Sequence, residues 1–297
     1  DPLSAVECVL ETVTEDVEVK RSVLSSVAEV VDSEVPFGTN TSSLTASEIA
    51  EAVPNPGRVA LFHFAKPAID RDLVEVAGTR ARTGVLETAE NLATGIGKQP
   101  IRLERERRGN GLSRLSAAIK AAATWELTRR DPETVDRAAR AVGFDQGPIQ
   151  LIDAIGLDVH LATVDNLHEE YGDRFDPPET LRETMETRIE NGRLGQKTGA
   201  GFFTWKDDEV VLPDGEAPTE AIEPVLAAVV NEAYRMVEDG IAPQDRIDRL
   251  FKLGSGGAVG PFDIESMLGT EHLLDVLEER YTATGSPLFE PAAELGG

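Results

Sequence analysis

Four histidines occur in the chain, and one of them stands where a sheet enzyme could use it. His63 lies in the apolar run Leu61-Phe62-His63-Phe64, at the end of a strand-like segment, where α/β folds commonly present catalytic groups. Glu75 follows twelve residues later in Leu73-Val74-Glu75-Val76, a second strand-like run returning from a loop. If the two strands are neighbours, the carboxylate can hold one imidazole nitrogen and leave the other to move a proton. The same residues also fit a satisfied core histidine and a solvated glutamate, and spacing alone leaves both readings open. His160, His168 and His272 fall in helical segments and read as packing or surface residues. No metal site is expected, because Cys8 is the only cysteine and a cysteine-based zinc site is excluded. A lone cysteine also fits a reducing, cytoplasmic setting.

Two further stretches carry polar groups. Asn40-Thr41-Ser42-Ser43-Leu44 offers an amide and several hydroxyls just before Thr45-Ala46-Ser47-Glu48, which has the form of a capping box. A turn between strand and helix suits ligand oxygens, although a capping loop explains the same residues. The glycine-rich stretch 191–203, with Arg193 and Lys197, could face an anion but lacks the phosphate-loop spacing. A structural loop wrapping back onto the helices is the simpler reading.

The elements that must position these groups follow from periodicity. Short β-branched or apolar runs at 8–13, 58–64, 73–76 and 99–103 read as strands, with helical spacing over 15–31 and 83–94 between them. This is an alternating α/β pattern. From about residue 111 the pattern becomes helical, over 115–127, 132–142 and 151–171, with Asp131-Pro132-Glu133 as a helix start. Residues 207–218 read as a linker. The helical pattern then repeats: Val135-Asp136-Arg137, Gly147-Pro148 and Ile155-Gly156-Leu157-Asp158 match Ile247-Asp248-Arg249, Gly260-Pro261 and Leu268-Gly269-Thr270-Glu271. The expected fold class is therefore α/β plus all-α: a half-set of parallel strands over 1–107, then two repeated helical domains over 108–206 and 219–297.

Composition narrows the function classes. The 297 residues carry 29 Lys and Arg against 54 Asp and Glu, a formal charge of −25. Nucleic-acid binding needs a basic footprint, and an anionic membrane surface repels such a chain, so neither partner is expected. No apolar run reaches the roughly 18 residues that span a bilayer. Molar salt shortens the Debye length to about 3 Å, and the charge reads as adaptation to a salty cytoplasm.

In their order, the blocks resemble the 3-hydroxyacyl-CoA dehydrogenase family. The resemblance rests on Val9-Leu10-Glu11-Thr12-Val13-Thr14-Glu15 with Lys20, Asn40-Thr41-Ser42-Ser43-Leu44, Leu61-Phe62-His63-Phe64 and Leu73-Val74-Glu75-Val76. Gly147-Pro148, Ile155-Gly156-Leu157-Asp158 and Gly192-Arg193-Leu194-Gly195 with Lys197-Thr198-Gly199 and Gly201-Phe202 extend it. The resemblance implies that 1–107 is a partial Rossmann-like NAD-binding domain, and the second helical unit is similar to the extra C-terminal repeat of longer members. The resemblance implies NAD-dependent oxidation of a 3-hydroxyacyl-CoA to the 3-oxoacyl-CoA, in fatty-acid or hydroxybutyrate metabolism. His63 would take the hydroxyl proton, Glu75 would orient the imidazole, and Ser42 and Ser113 would bond the substrate. Glu15, Lys20 and Asn40 would lie along the nicotinamide side of the cofactor. Homodimerisation through the helical domains is also implied.

This sequence departs from the family pattern at three places. The glycine fingerprint for the pyrophosphate has no counterpart, so the cofactor site is expected to be completed by preceding sequence or a partner. Lys66 stands where the family has Asn after the histidine, and Ser113 replaces a substrate-contacting Asn. A missing positioned donor costs about 10²–10³ in rate. The alternative expectation is a non-catalytic acyl-CoA-binding or assembly subunit that keeps the fold.

Overall fold

The computed structural model describes residues 5–296. In chain order its elements are β1 (Val9–Glu11), α1 (Val17–Ala28), β2 (Phe37–Thr39), α2 (Ala46–Ala50), β3 (Val59–Phe64), β4 (Leu73–Ala77), α3 (Thr83–Gly95) and β5 (Gln99–Arg102). Helices follow: α4 (Leu112–Glu126), α5 (Pro132–Ala141), α6 (Pro148–Ile155), α7 (Leu157–Tyr171), α8 (Glu179–Glu190), α9 (Glu223–Glu238), α10 (Gln244–Ser255), α11 (Pro261–Leu268) and α12 (Thr270–Thr284). Several starts carry the expected signals. Thr45 and Glu48 form the capping box of α2, and Asp131 accepts Thr134 N ahead of Pro132 at the start of α5. The helix expected over 151–171 is broken. Gly156, at φ 101°, separates α6 from α7 in a conformation that a side chain would strain.

The chain forms two compact units, and they do not follow chain order. The first comprises the residues up to Arg114 together with Met236–Gly260. Its sheet runs β1-β2-β3-β4-β5 and is mostly parallel, with β3 and β4 antiparallel because the chain returns directly through 65–72. Side chains alternate between the faces of a strand. Phe62, Val74 and Val76 therefore share one face and pack with Ala89 and Ala93 of α3, while His63 and Glu75 point to the other. On β4 lies α10, where Gly254 leaves room for Leu73 and Leu112. A segment of the expected second repeat thus belongs to the sheet unit.

The second unit comprises Leu115–Arg235 and Pro261–Gly297. Buried carboxylates fasten its loops. Asp136 accepts Ile149 N and Gln150 N at the start of α6, and Gly147 is required beside it because a Cβ there would lie 2.1 Å from the Asp136 carboxyl carbon. Asp248 and Gly260 repeat this arrangement in the sheet unit. The stretch 191–203 is a structural loop, since Asp153 accepts Phe202 N, Phe203 N and Trp205 Nε1.

His160 is a buried residue of α7. Burial, helped by the charges of Lys120 and Arg182, pushes its imidazole down to about 3. An unfolded histidine titrates near 6.5, so below that pH the unfolded chain takes up a proton that the folded chain refuses, and stability falls with acidification. Asp136, pushed up to about 7 by burial, works in the opposite sense. Comparing the protein with its His160→Leu variant isolates the histidine: between pH 6.5 and 4.5 the unsubstituted protein should lose about 2–3 kcal/mol more in urea unfolding. Parallel pH profiles for the two proteins would contradict this.

Candidate active site

Antiparallel pairing places His63 directly opposite Glu75. Facing residues of such a pair have their Cβ atoms about 5 Å apart, and the side chains close the gap with His63 Nδ1 2.6 Å from Glu75 Oε2. Both are buried, Glu75 completely. Its other oxygen, Oε1, accepts Gly111 N at 2.8 Å and Leu112 N at 2.9 Å. Those amides open α4, where the helix dipole favours a negative charge. Glu75 is thus held at both oxygens, and the imidazole bonded to it is fixed in the tautomer with Nδ1 as donor. Nε2 has no protein partner among the described residues, which leaves it able to exchange a proton with a ligand. Ser113 is half-buried in the first turn of the same helix.

A second polar network lies at the ends of β1 and β2. Glu15 Oε1 accepts Thr41 Oγ1 (2.6 Å), Ser42 N (2.8 Å), Ser43 N (2.8 Å), Ser43 Oγ (2.9 Å) and Ser42 Oγ (3.3 Å). Burial alone would push this carboxyl up. The bond from Thr41, the charge of Lys20 and the Ser43 donors outweigh that and hold it below the usual carboxylate range. Asn40 ties the strands together, its N donating to Glu11 O and its Oδ1 accepting Phe64 N, one residue after the histidine. Its side-chain nitrogen has no protein partner among the described residues.

Ser42 is half-buried and engaged by Glu15. The Lys20 ammonium is only 1% exposed and is committed to Glu11, Val13 O and, at 3.4 Å, Glu15 Oε2. It therefore stands behind Glu15, because three acceptors use its three protons. Glu11, which the sequence reading passed over as a site residue, also takes Thr39 Oγ1 and Val13 N. Replacing Lys20 with Met should leave the buried Glu11 carboxylate uncompensated, deprive the half-buried Glu15 of its cation, and cost about 3–5 kcal/mol in urea unfolding. Adding Glu11→Gln should recover part of that loss, and strictly additive effects would show that the two do not interact.

Asn110, Gly111 and Leu112 were not foreseen as site residues. Asn110, buried at φ 48°, donates from Nδ2 to Thr41 O and so joins the turn before α4 to the serine loop. Lys66 is exposed. These groups fit the nicotinamide half of a dinucleotide: the Asn40 Nδ2 donor suits a carboxamide oxygen, and the Glu15 Oε2 acceptor suits ribose hydroxyls.

A mostly parallel sheet followed by helical units, with a buried histidine–carboxylate pair at a strand end, defines an α/β fold equipped for general acid–base chemistry. Comparison with known proteins makes this particular. Residues 1–107 match the model for the NAD binding domain of 3-hydroxyacyl-CoA dehydrogenase, and residues 111–205 and 222–295 match the model for its C-terminal domain. The chain belongs to the 3-hydroxyacyl-CoA dehydrogenase family. It is 30% identical over 296 residues to the fatty acid oxidation complex subunit alpha of Vibrio campbellii, covering 92% of this chain and 41% of that protein. It is 31% identical over 244 residues to 3-hydroxyadipyl-CoA dehydrogenase of Escherichia coli, covering 80% and 50%. Among solved structures, 3-hydroxybutyryl-CoA dehydrogenase from Escherichia coli superposes with a TM-score of 0.85 at 25% identity, covering 99% of this chain and 81% of that one. The chain thus spans about half the length, or less, of these curated relatives. No helix among the described residues is long and apolar enough to cross a membrane.

Proposed function

We propose that this chain carries the proton-transfer half of an NAD-dependent dehydrogenase that oxidises 3-hydroxyacyl-CoA to 3-oxoacyl-CoA in fatty-acid or hydroxybutyrate metabolism. The observation that carries the reading is the 2.6 Å contact between His63 and Glu75, with Glu75 fixed by the amides of Gly111 and Leu112. NAD, when bound, supplies the acceptor for the hydride that leaves C3. Asn40 and Glu15 would hold its nicotinamide side, with Lys20 fixing Glu15 from behind. His63 Nε2 takes the hydroxyl proton as the C3–H bond breaks and the C–O bond becomes a carbonyl. Glu75, held by two backbone amides, stabilises the imidazolium. Ser42 and Ser113 would donate to the reacting oxygen and the acyl group, which requires Ser42 Oγ to turn away from its long bond to Glu15.

The acidic surface must still admit an anionic CoA ester. Salt screening or local cations such as Lys66 would offset the field, consistent with a protein working in a salty cytoplasm. The helical repeats are the natural surfaces for a homodimer, and size-exclusion chromatography in molar KCl would read that state. The complete protein in molar KCl should oxidise NADH with acetoacetyl-CoA. A folded protein that neither binds NADH nor turns it over would sink the reading.

A further inference from the structure

We infer that Asp239, in the second helical repeat, is a positioning residue for the His63–Glu75 dyad and acts through the turn at residues 107–114. The carboxylate of Glu75 is only as well placed as the Gly111 and Leu112 amides that hold Oε1. Those amides sit in a turn where Asn110, a non-glycine residue, is held at positive φ, a conformation that needs external support. One support is the serine loop, where Ser43 O accepts Gly109 N. A second is Glu48, whose Oε1 accepts two bonds from the Arg108 guanidinium, and the third is Asp239. Its Oδ2 lies 2.7 Å from Arg114 Nη1, its Oδ1 2.5 Å from Arg107 Nη1, and its backbone oxygen 3.3 Å from Arg105 Nη1.

Arg114 makes this pairing necessary. It is fully buried and falls in the first turn of α4, where the helix dipole opposes a positive charge. A buried cation in that place needs a carboxylate, and Asp239 supplies one that also grips the other end of the turn at Arg107. Glu104 N donates to Ile241 O nearby, so the segment is anchored beside the pair. Asp239 touches neither His63 nor Glu75. It fixes the amides that aim Glu75 at the imidazole.

The proposal rests on the dehydrogenase reading only for its kinetic arm. In the full chain labelled with ¹⁵N-histidine, the His63 Nδ1–H bonded to Glu75 should give a slowly exchanging, downfield resonance that disappears in His63→Gln. In Asp239→Asn that proton should exchange at least about tenfold faster, while Asp239→Glu should restore it in part. In the complete enzyme kcat should fall about ten- to hundredfold with KM within twofold, the cost of a misplaced catalytic group. A folded Asp239→Asn protein with unchanged His63 exchange would overturn the inference. If that variant does not fold, Arg107→Gln removes only the half-exposed arm of the clamp, and unchanged exchange there is equally fatal. A protein without dehydrogenase activity would defeat the functional reading and leave the NMR test standing.

Discussion

Glu75→Gln should lower kcat by about 10²–10⁴-fold with the fold intact, as much as His63→Gln and for a reason specific to this site. The position of Oε1 accepts two backbone amides, so a glutamine must place its carbonyl there. Its NH₂ then faces His63 Nδ1, which has to become an acceptor. The ring proton moves to Nε2, the nitrogen proposed to take the substrate proton. The variant thus keeps every atom in place and holds the imidazole in the wrong tautomer. Steady-state kinetics with acetoacetyl-CoA and NADH, alongside thermal midpoints, measure this. A kcat within threefold of the unsubstituted enzyme would show that the dyad is not the base.

The second large effect should come from Gly111→Ala. A Cβ at this position would lie 2.6 Å from Leu250 Cδ1 and 2.8 Å from Glu75 Oε1, both in the buried interior of the sheet unit. Neither neighbour can withdraw easily, because Leu250 is packed beneath the turn and Glu75 is bonded to the Gly111 amide itself. Overpacking of this kind costs about 1–3 kcal/mol, and displacement of Glu75 should cost about a hundredfold in kcat. Combining the change with Leu250→Ala separates the two consequences. Relieving the clash on the leucine side should alter the stability change but leave kcat low, since the contact with Glu75 remains. Wild-type stability and turnover in Gly111→Ala would contradict the packing described for this turn.

Much of the dyad was legible because it is local. His63 and Glu75 lie in two recognisable strands joined by a short return, and the register that brings them together needs only a hairpin. Caps such as Thr45 and Asp131 were readable for the same reason. The groups that hold Glu75 were not, because Gly111 and Leu112 act through backbone amides, which leave no mark on residue type. Lys20 carried a signal that was available. With Val17, Leu24 and Val27 it follows the apolar spacing of α1, and a lysine on such a face is buried and paired more readily than it is solvent-facing. Gly156 also offered a sign, since a glycine within a helical pattern weakens the helix and marks a candidate stop. The pairing of Arg114 with Asp239 spans 125 residues and no periodicity reports it.

That separation gives the active-site unit a history during synthesis. Strands β3 and β4 can pair as soon as both have left the ribosome, but Asp239 and Leu250 follow only after residues 115–235 have been made. At roughly 5–20 residues per second, the delay is on the order of ten seconds. While residues 115–235 are still unfolded, closing a loop of that length costs roughly 4 kcal/mol of chain entropy. A nascent chain in this interval presents Arg114 without Asp239 and the turn at Gly111 without Leu250 to chaperones and proteases, so the last segment to arrive determines when the Glu75 carboxylate is held in place.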